Sequence, residues 1–410
     1  MKVLLSHSGK QHSYHVAKAM YDLGILEKFI TSSYIRNQSI QEYFTKRNNT
    51  YWTRRFHSEL PGNYVESNWR FEIPEIVYNR VFGKGRRTSN AVYQRDERFD
   101  KYLSKKISKY SNNFYWGFQG SSLLTLKEAK IHNIPTIVEL STAHVTAAKK
   151  ILGEEVRLHP EWADSMDNLI FPKDYEQRLV EEPEVADFII AASSFTKMSL
   201  IDSGILEDKI YTLPLGFDIE KIDFVPSLPR KGRKLKVLYS GTITQRKGIK
   251  YLLEAVKHLT PNEVELTLIG NIQGSGNALK AYSGLFKHIP GLSQAEMFNR
   301  YGDYDVLVLP TIFEGFGLVI LEALACGLPV ITTPHSIGPE IIKDGQNGFI
   351  VPIRDENAVA KAIVSLMEKE DDELMEMRKK SRDSALSYSW EQYKNRLNSL
   401  YLTLEQKIGE

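Results

Sequence analysis

An α/β chain of two domains, each built on a parallel sheet, is the fold that the sequence predicts, on three observations. Short apolar runs with β-branched residues alternate with helical patterns, the mark of parallel strands joined by crossover helices. This rhythm fails around YTLPLGFDIEKIDFVPSLPRKGRKLK, where prolines, glycine and charge accumulate as in an interdomain linker, and then restarts. The length, 410 residues at 42% hydrophobic, is enough for two cored domains.

In the first half KVLLSH, NNFYWGF, PTIVEL and ADFIIAAS read as core strands, with helices at Ser13 to Leu23, Ser122 to His132 and Phe195 to Ser203. Residues 36–110 interrupt the pattern with aromatic, basic sequence, expected to form helices and loops grown over one side of the first domain. They carry 16 Lys and Arg against 8 Asp and Glu. The boundary falls near Gly216 to Arg233, giving an N-terminal domain at 1–215 and a C-terminal domain at 216–385. After it KLKVLYSG is a strand, GIKYLLEAVKHL places Ile249, Leu252, Leu253, Val256 and Leu259 on one helical stripe, and VELTLIG is the returning strand. Ser293 and Glu296 make a capping box before a helix to about Tyr301; DVLVLP and PVITT are further strands. A last helix from Ser389 carries Trp390, Tyr393, Leu397, Leu400 and Leu404 at helical spacing.

The charge balance, 53 basic against 51 acidic side chains, provides no global field toward nucleic acid or membrane. The single cysteine, Cys326, excludes an internal disulfide framework and, with no basic-then-apolar leader, points to a reducing cytoplasm. No stretch of about 18 apolar residues spans a bilayer.

The most informative segment is VLVLPTIFEGFGLVILEALACGLPVITT, a strand, a loop ending in Glu314-Gly315-Phe316-Gly317, a helix from about Leu318, and a strand. A helix N-terminus at the carboxyl end of a parallel strand offers free N–H groups and a positive dipole, which suits a diphosphate. Gly315 and Gly317 let the backbone approach an anion. Glu314 precedes the helix and Glu322 lies in its second turn, so two carboxylates face one ligand from different depths. Carboxylates accept hydrogen bonds from vicinal hydroxyls such as those of a sugar or ribose. Glutamates on the wet face of an ordinary strand-turn-helix would give the same pattern.

The Glu314-x7-Glu322 spacing in EGFGLVILEALACGLPVI resembles the signature of the retaining glycosyltransferases of family four, which have the GT-B fold, two Rossmann-like domains across a cleft. The resemblance extends over most of the C-terminal half. It implies that Glu314 contacts the donor sugar and Glu322 the ribose, and that Phe316, Gly317 and Leu318 meet sugar and phosphate through their amides. SGTITQRKGIKYLLEA is a second matching element: Lys247 falls on the family's phosphate lysine, in a loop that begins at Gly241. Thr242 stands where the family often has an arginine, which shifts that charge to Arg246. ADFIIAASSFTKMSLIDSGILEDKIYTLPLGFD is similar to the family's run into the hinge, with Ser194 and Gly216-Phe217-Asp218 at the usual marks, and HSIGPEIIKDGQNGFIVP to the segment before the tail. YSWEQYKNRLNSLY resembles its last helix, which implies that 386–410 crosses back onto the N-terminal domain.

On the N-terminal side only Gly9 of the family's glycine pair is present, in Ser8-Gly9-Lys10-Gln11-His12; Gly9 would close on the diphosphate while Lys10 and His12 face the acceptor. The family's histidine after the strand PTIVEL corresponds to His144, three residues beyond Ser141. Asp303-Tyr304-Asp305 spells a metal-binding D-x-D but immediately precedes an apolar strand, so it is a strand entrance, and no cluster has metal-ligand spacing.

The resemblance implies a metal-independent hexosyl- or glycosyltransferase of polysaccharide biosynthesis with no permanently bound cofactor. A nucleotide diphosphate-sugar, UDP- or GDP-linked, is the co-substrate, and a glycan, a lipid-linked or another hydroxyl compound is the acceptor. The basic surplus of 36–110, with Trp52, Arg54, Arg55, Trp69, Arg86 and Arg87, fits a lipid-linked diphosphate or an anionic membrane face and fits a solvated insertion as well. The expected location is cytoplasmic, with peripheral contact at the inner membrane face open. A GT-B epimerase or phosphorylase and a non-catalytic sugar-nucleotide-binding subunit are the rival functions; a Rossmann oxidoreductase lacks its G-x-G-x-x-G.

Overall fold

The structure is a computed structural model, described here for all residues except 11, 48–51, 53–54, 83–85, 112, 170, 225, 227–232, 260–262 and 410. Arg54 and residues 227–232 of the expected linker therefore lie outside the described residues, as do the side chains of Arg86 and Arg87.

Two parallel sheets organise the chain. The first runs β1 (Lys2–His7), β2 (Leu26–Thr31), β3 (Val65–Ser67), β4 (Asn113–Phe118), β5 (Thr136–Leu140), β6 (Phe188–Ala191) and β7 (Ile210–Thr212), in the order β3-β2-β1-β4-β5-β6-β7. The second holds β8 (Leu235–Ser240), β9 (Val264–Ile269), β10 (Phe286–Ile289), β11 (Val306–Leu309), β12 (Val330–Thr332) and β13 (Gly348–Ile350), ordered β10-β9-β8-β11-β12-β13. Every pairing is parallel. In both sheets the order reverses beside the first strand, between β1 and β4 and between β8 and β11. Loops at the carboxyl ends of those strands diverge there and leave a crevice, where open α/β sheets bind ligands.

The apolar runs buried on both faces are the central strands, as in Leu307, Val308 and Leu309 of β11, none of which is exposed. Helix Ile249–Lys257 buries Ile249, Leu252, Leu253 and Val256 against the second sheet. Ser293 and Glu296 form the expected capping box. The insertion at 36–110 is not only helices and loops: Val65–Ser67 pairs parallel with β2 and extends the first sheet. Three of its cations are used internally, Arg55 by Glu72, Arg95 by Glu75 and Asp96, and Lys106 by Glu66.

The chain crosses between the sheets twice, side by side, with Phe217 N donating to Tyr388 O at 2.8 Å. Gly216 is required at this crossing because a Cβ would lie 2.5 Å from the Trp390 ring. Beyond it, helix Trp390–Gly409 returns to the first domain and buries Tyr393, Leu397, Tyr401 and Leu404 in that domain's core beside Val16, Met20 and Phe114. Each such side chain contributes roughly 1.5–3 kcal/mol of burial. In the other direction, Trp162, between β5 and β6 in sequence, packs in the core of the second sheet's domain.

Candidate active site

The β8 and β11 loops meet at the second sheet's crevice. After β8 the chain turns at Gly241 (φ +126°) and forms one 3-10 turn, Gln245–Lys247, closed by Gly248 at φ +70°. A Cβ on Gly241 would lie 3.1 Å from Lys247 Nζ, so glycine leaves that ammonium its place. After β11, Ile312 N and Phe313 N both donate to Arg246 O, at 3.0 and 3.2 Å, and Arg246 Nη1 returns a bond to Phe313 O at 2.8 Å. The loops are thus stitched together, and their charges converge: Glu314 Oε2 lies 3.2 Å from Lys247 Nζ and 3.4 Å from Arg246 Nη1.

Burial pushes the Glu314 carboxyl up, but the charges and hydrogen bonds of Lys247 and Arg246 outweigh it and hold the group below the usual carboxylate range. Glu322, on the helix Leu318–Ala325, behaves oppositely. Burial raises it, and the hydrogen bonds from Gln294 Nε2 (2.8 Å) and Tyr301 OH (3.1 Å), with the more distant charge of Lys247, only partly offset that. The helix starts at Gly317, φ +88°, with no side chain capping it, so its first N–H groups remain for a ligand. Leu318 and Thr242 are exposed, whereas Phe316 is buried in the domain core.

Gly315 has a structural reason the sequence did not show. A Cβ there would lie 2.3 Å from both Ser141 O and Thr142 Cα, across the cleft in the first domain. The Gly315 carbonyl accepts from Ser193 Oγ at 2.6 Å and Thr196 Oγ1 at 3.3 Å, and Ser194 N donates to the Glu340 carboxylate. His335 Nδ1 bonds Ile312 O at 2.7 Å while its ring stacks on Phe195 at 4.3 Å. The Glu314 loop is therefore held from both domains. Only Ser193's position, just before a helix, is legible as a cap; its partner lies 122 residues away.

His144 caps the helix Val145–Leu158: its Nδ1 accepts from Thr146 N at 3.4 Å, and its backbone N donates to Ser199 Oγ at 2.8 Å. Burial lowers its pKa to about 4, so the ring is neutral at pH 7 with its proton on Nε2. That nitrogen is buried and has no hydrogen-bond partner among the described residues.

At the first sheet's crevice Gly9 packs against Arg95, whose Nη2 would be 3.2 Å from a Cβ, and Gly9 N donates to His7 Nδ1 at 2.6 Å. His12 Nε2 pairs with buried Glu139, which also accepts from Trp116 Nε1 at 2.9 Å. Lys10 lines a cavity of about 660 Å³ with Tyr14, His15, Lys18, Trp390 and Lys394, in which His15 stacks flat on Trp390 at 4.2 Å. These groups lie at the carboxyl end of the first sheet, whereas Glu314 and Lys247 lie at that of the second.

Asp305 is buried at 4% exposure and accepts from Arg233 Nη1 at 2.7 Å and from Lys236 N, which fixes the entrance to β11. Among the described residues no group of three His, Cys, Asp or Glu could hold a metal ion, and no helix is long and apolar enough to cross a membrane. Cys326 is buried, which pushes its thiol up to about 12.

Residues 234–369, which contain both loops, match the family model described as glycosyl transferases group 1. The chain is 28% identical over 300 residues to a D-inositol 3-phosphate glycosyltransferase of Paenarthrobacter aurescens, covering 68% of this chain and 66% of that protein. It is 31% identical over 166 residues to a phosphatidyl-myo-inositol mannosyltransferase of Mycobacterium leprae, covering 38% and 43%. The matches thus span between 43% and 66% of these relatives' own lengths. The crystal structure of the Anabaena protein HepE in complex with UDP superposes with a TM-score of 0.62 over 98% of this chain and all of that one. At 14% identity this likeness shows the fold: two Rossmann-like domains in the GT-B arrangement.

Proposed function

We propose that this chain is a retaining glycosyltransferase that transfers a sugar from a nucleoside diphosphate donor to a hydroxyl acceptor. The observation that carries it is the convergence of Arg246, Lys247 and Glu314 beside an uncapped helix N-terminus at the β8/β11 switch point. The group 1 family match over these loops and the glycosyltransferase names of the relatives support it.

The two cations and the helix start would bind the donor diphosphate and stabilise the charge that grows on it as the glycosidic bond breaks. Glu314 would orient the sugar through its hydroxyls, and Glu322 would accept from the ribose. His144 would donate from Nε2–H to a sugar oxygen. The leaving diphosphate would take the acceptor's proton on the face it departs from, so that the configuration is kept. Closure of the domains would exclude water, a competing acceptor. UDP is the first donor nucleotide to test, because HepE was crystallised with it; GDP is the second.

The acceptor would enter from the Lys10 side, where the His15–Trp390 platform suits a sugar ring. Glycosylation of an inositol-bearing or lipid-linked acceptor is one setting, by likeness to the inositide glycosyltransferases. Peripheral contact with an anionic membrane face rests on the exposed Ile40, Tyr43, Val77 and Tyr78 of the insertion. Proton NMR of the product formed from an α-linked UDP-sugar tests the mechanism: an α product is expected, and a β product refutes retention.

A further inference from the structure

Glu155 belongs to helix Val145–Leu158 of the first domain, and its side chain is fully buried. A buried carboxylate costs several kcal/mol unless it is paired. Among the described residues its side-chain hydrogen-bond partners all come from the second domain. Oε1 accepts from Gln245 Nε2 at 2.6 Å and Tyr251 OH at 2.9 Å, and Oε2 accepts from Arg354 Nε at 2.7 Å. Arg354 also reaches Glu154 at 2.7 Å and Ile151 O at 2.8 Å. It does so from φ +62°, a conformation that costs a side-chain-bearing residue free energy and persists where surrounding contacts enforce it.

Gln245 is the residue before Arg246 and Lys247, in the same single turn. It is fully buried and fixed on every side: its amide oxygen accepts from Lys250 N at 3.0 Å and its own N donates to Ser165 Oγ at 3.0 Å. Thr244 Oγ1 donates to Ser165 O at 2.6 Å. So the two residues that precede the cations are held by Glu155 of the first domain and by Ser165 of the segment that carries Trp162 into the second domain's core. A turn this short leaves no slack between Gln245 and Lys247.

We propose that Glu155 is a positioning residue for diphosphate binding. By holding Gln245 it sets the Arg246–Lys247 turn in its anion-binding geometry, so that affinity for a nucleoside diphosphate depends on contact between the domains. This rests on the donor site proposed above. If the domains part, Glu155 becomes hydrated and Gln245 loses its bond to it, so the cations are fully pre-organised only in the closed form.

Calorimetric titration with UDP, or with GDP if UDP does not bind, tests this in a double-mutant cycle. Glu155→Gln keeps the shape but removes the charge and leaves one acceptor oxygen for the three donors of Gln245, Tyr251 and Arg354, so an NH2 group faces either Gln245 or Arg354. It is expected to weaken binding about tenfold in the native background and by no more than about threefold beside Lys247→Met, because its effect passes through the cations. An equal loss in both backgrounds would mean that Glu155 merely stabilises the interface, and unchanged binding in the single variant would overturn the inference alone. If neither nucleotide binds the native protein, the donor site itself falls, and this inference with it. Should Glu155→Gln fail to fold, Gln245→Ala, which leaves the Glu155–Arg354 pair intact, is read in the same cycle with the same criteria.

Discussion

Replacing Glu314 with Gln should tighten UDP while abolishing transfer. The Glu314 carboxylate lies 3.2 Å from Lys247 and 3.4 Å from Arg246, and the three side chains are 17%, 13% and 29% exposed. At an effective dielectric of about 20, a unit charge at such a separation is worth up to about 5 kcal/mol, much of it offset by lost hydration. A diphosphate on the same cations would stand about 6 Å from the carboxylate, where the same arithmetic gives a repulsion of up to about 3 kcal/mol. Allowing for relaxation and screening, removing the charge should favour UDP by about 1–2 kcal/mol, roughly a 5- to 30-fold lower Kd. UDP carries no donor sugar, so it loses none of the carboxylate's bonds to one; a UDP-sugar loses those hydrogen bonds, worth about 1.5–3 kcal/mol. Titration calorimetry with UDP and with the UDP-sugar, together with nucleotide release, reads all three quantities. The variant should also be less stable at neutral pH: a carboxyl held below its unfolded value contributes stability above that value and loses it as pH falls through the folded one. Weaker UDP binding, or undiminished turnover, would refute the placement of Glu314 among the donor's cations.

Lys247→Met should act in the opposite direction on the same ligand, weakening UDP by about 1.5–3 kcal/mol, or about 10- to 150-fold, in the same titration. Glu322→Gln should weaken UDP but leave inorganic diphosphate binding unchanged, since its role is toward the ribose; equal losses for both ligands would contradict that role. His144, with a pKa lowered from 6.5 to about 4, binds its proton less readily folded than unfolded. Its contribution is complete above about pH 6.5 and is lost as pH falls toward 4, on the order of 3 kcal/mol. Chemical denaturation of His144→Gln between those limits should show a shallower fall in stability than the native chain.

The central strands were legible because each is a short apolar run buried on both faces, from KVLLSH to DVLVLP. The strands not foreseen lie beside or at the sheet margins. Leu26–Thr31 is broken by Glu27 and Lys28, and Phe286–Ile289 presents Lys287 and His288 to solvent. Val65–Ser67 and Gly348–Ile350 are too short for any periodicity to register. Glu314 and Lys247 stood out because each follows a recognisable strand at a loop rich in glycine. What the first domain adds could not be read: Ser193 reaches Gly315 across 122 residues and Glu155 reaches Gln245 across 90, and no local pattern encodes such pairs. Gly315 illustrates the difference most clearly, since the sequence offers only the approach of an anion as a reason for glycine there, and the close backbone at Ser141 and Thr142 is a second reason that it does not encode.

The donor site is tested most directly by thermal unfolding of the native protein with UDP, GDP and ADP and their glucose, galactose and mannose conjugates. A ligand at 100 times its Kd adds about 2.7 kcal/mol to stability. One nucleotide series is expected to raise Tm by several degrees, and the rise should vanish in Lys247→Met. Unaltered unfolding with every member of the panel would contradict the account.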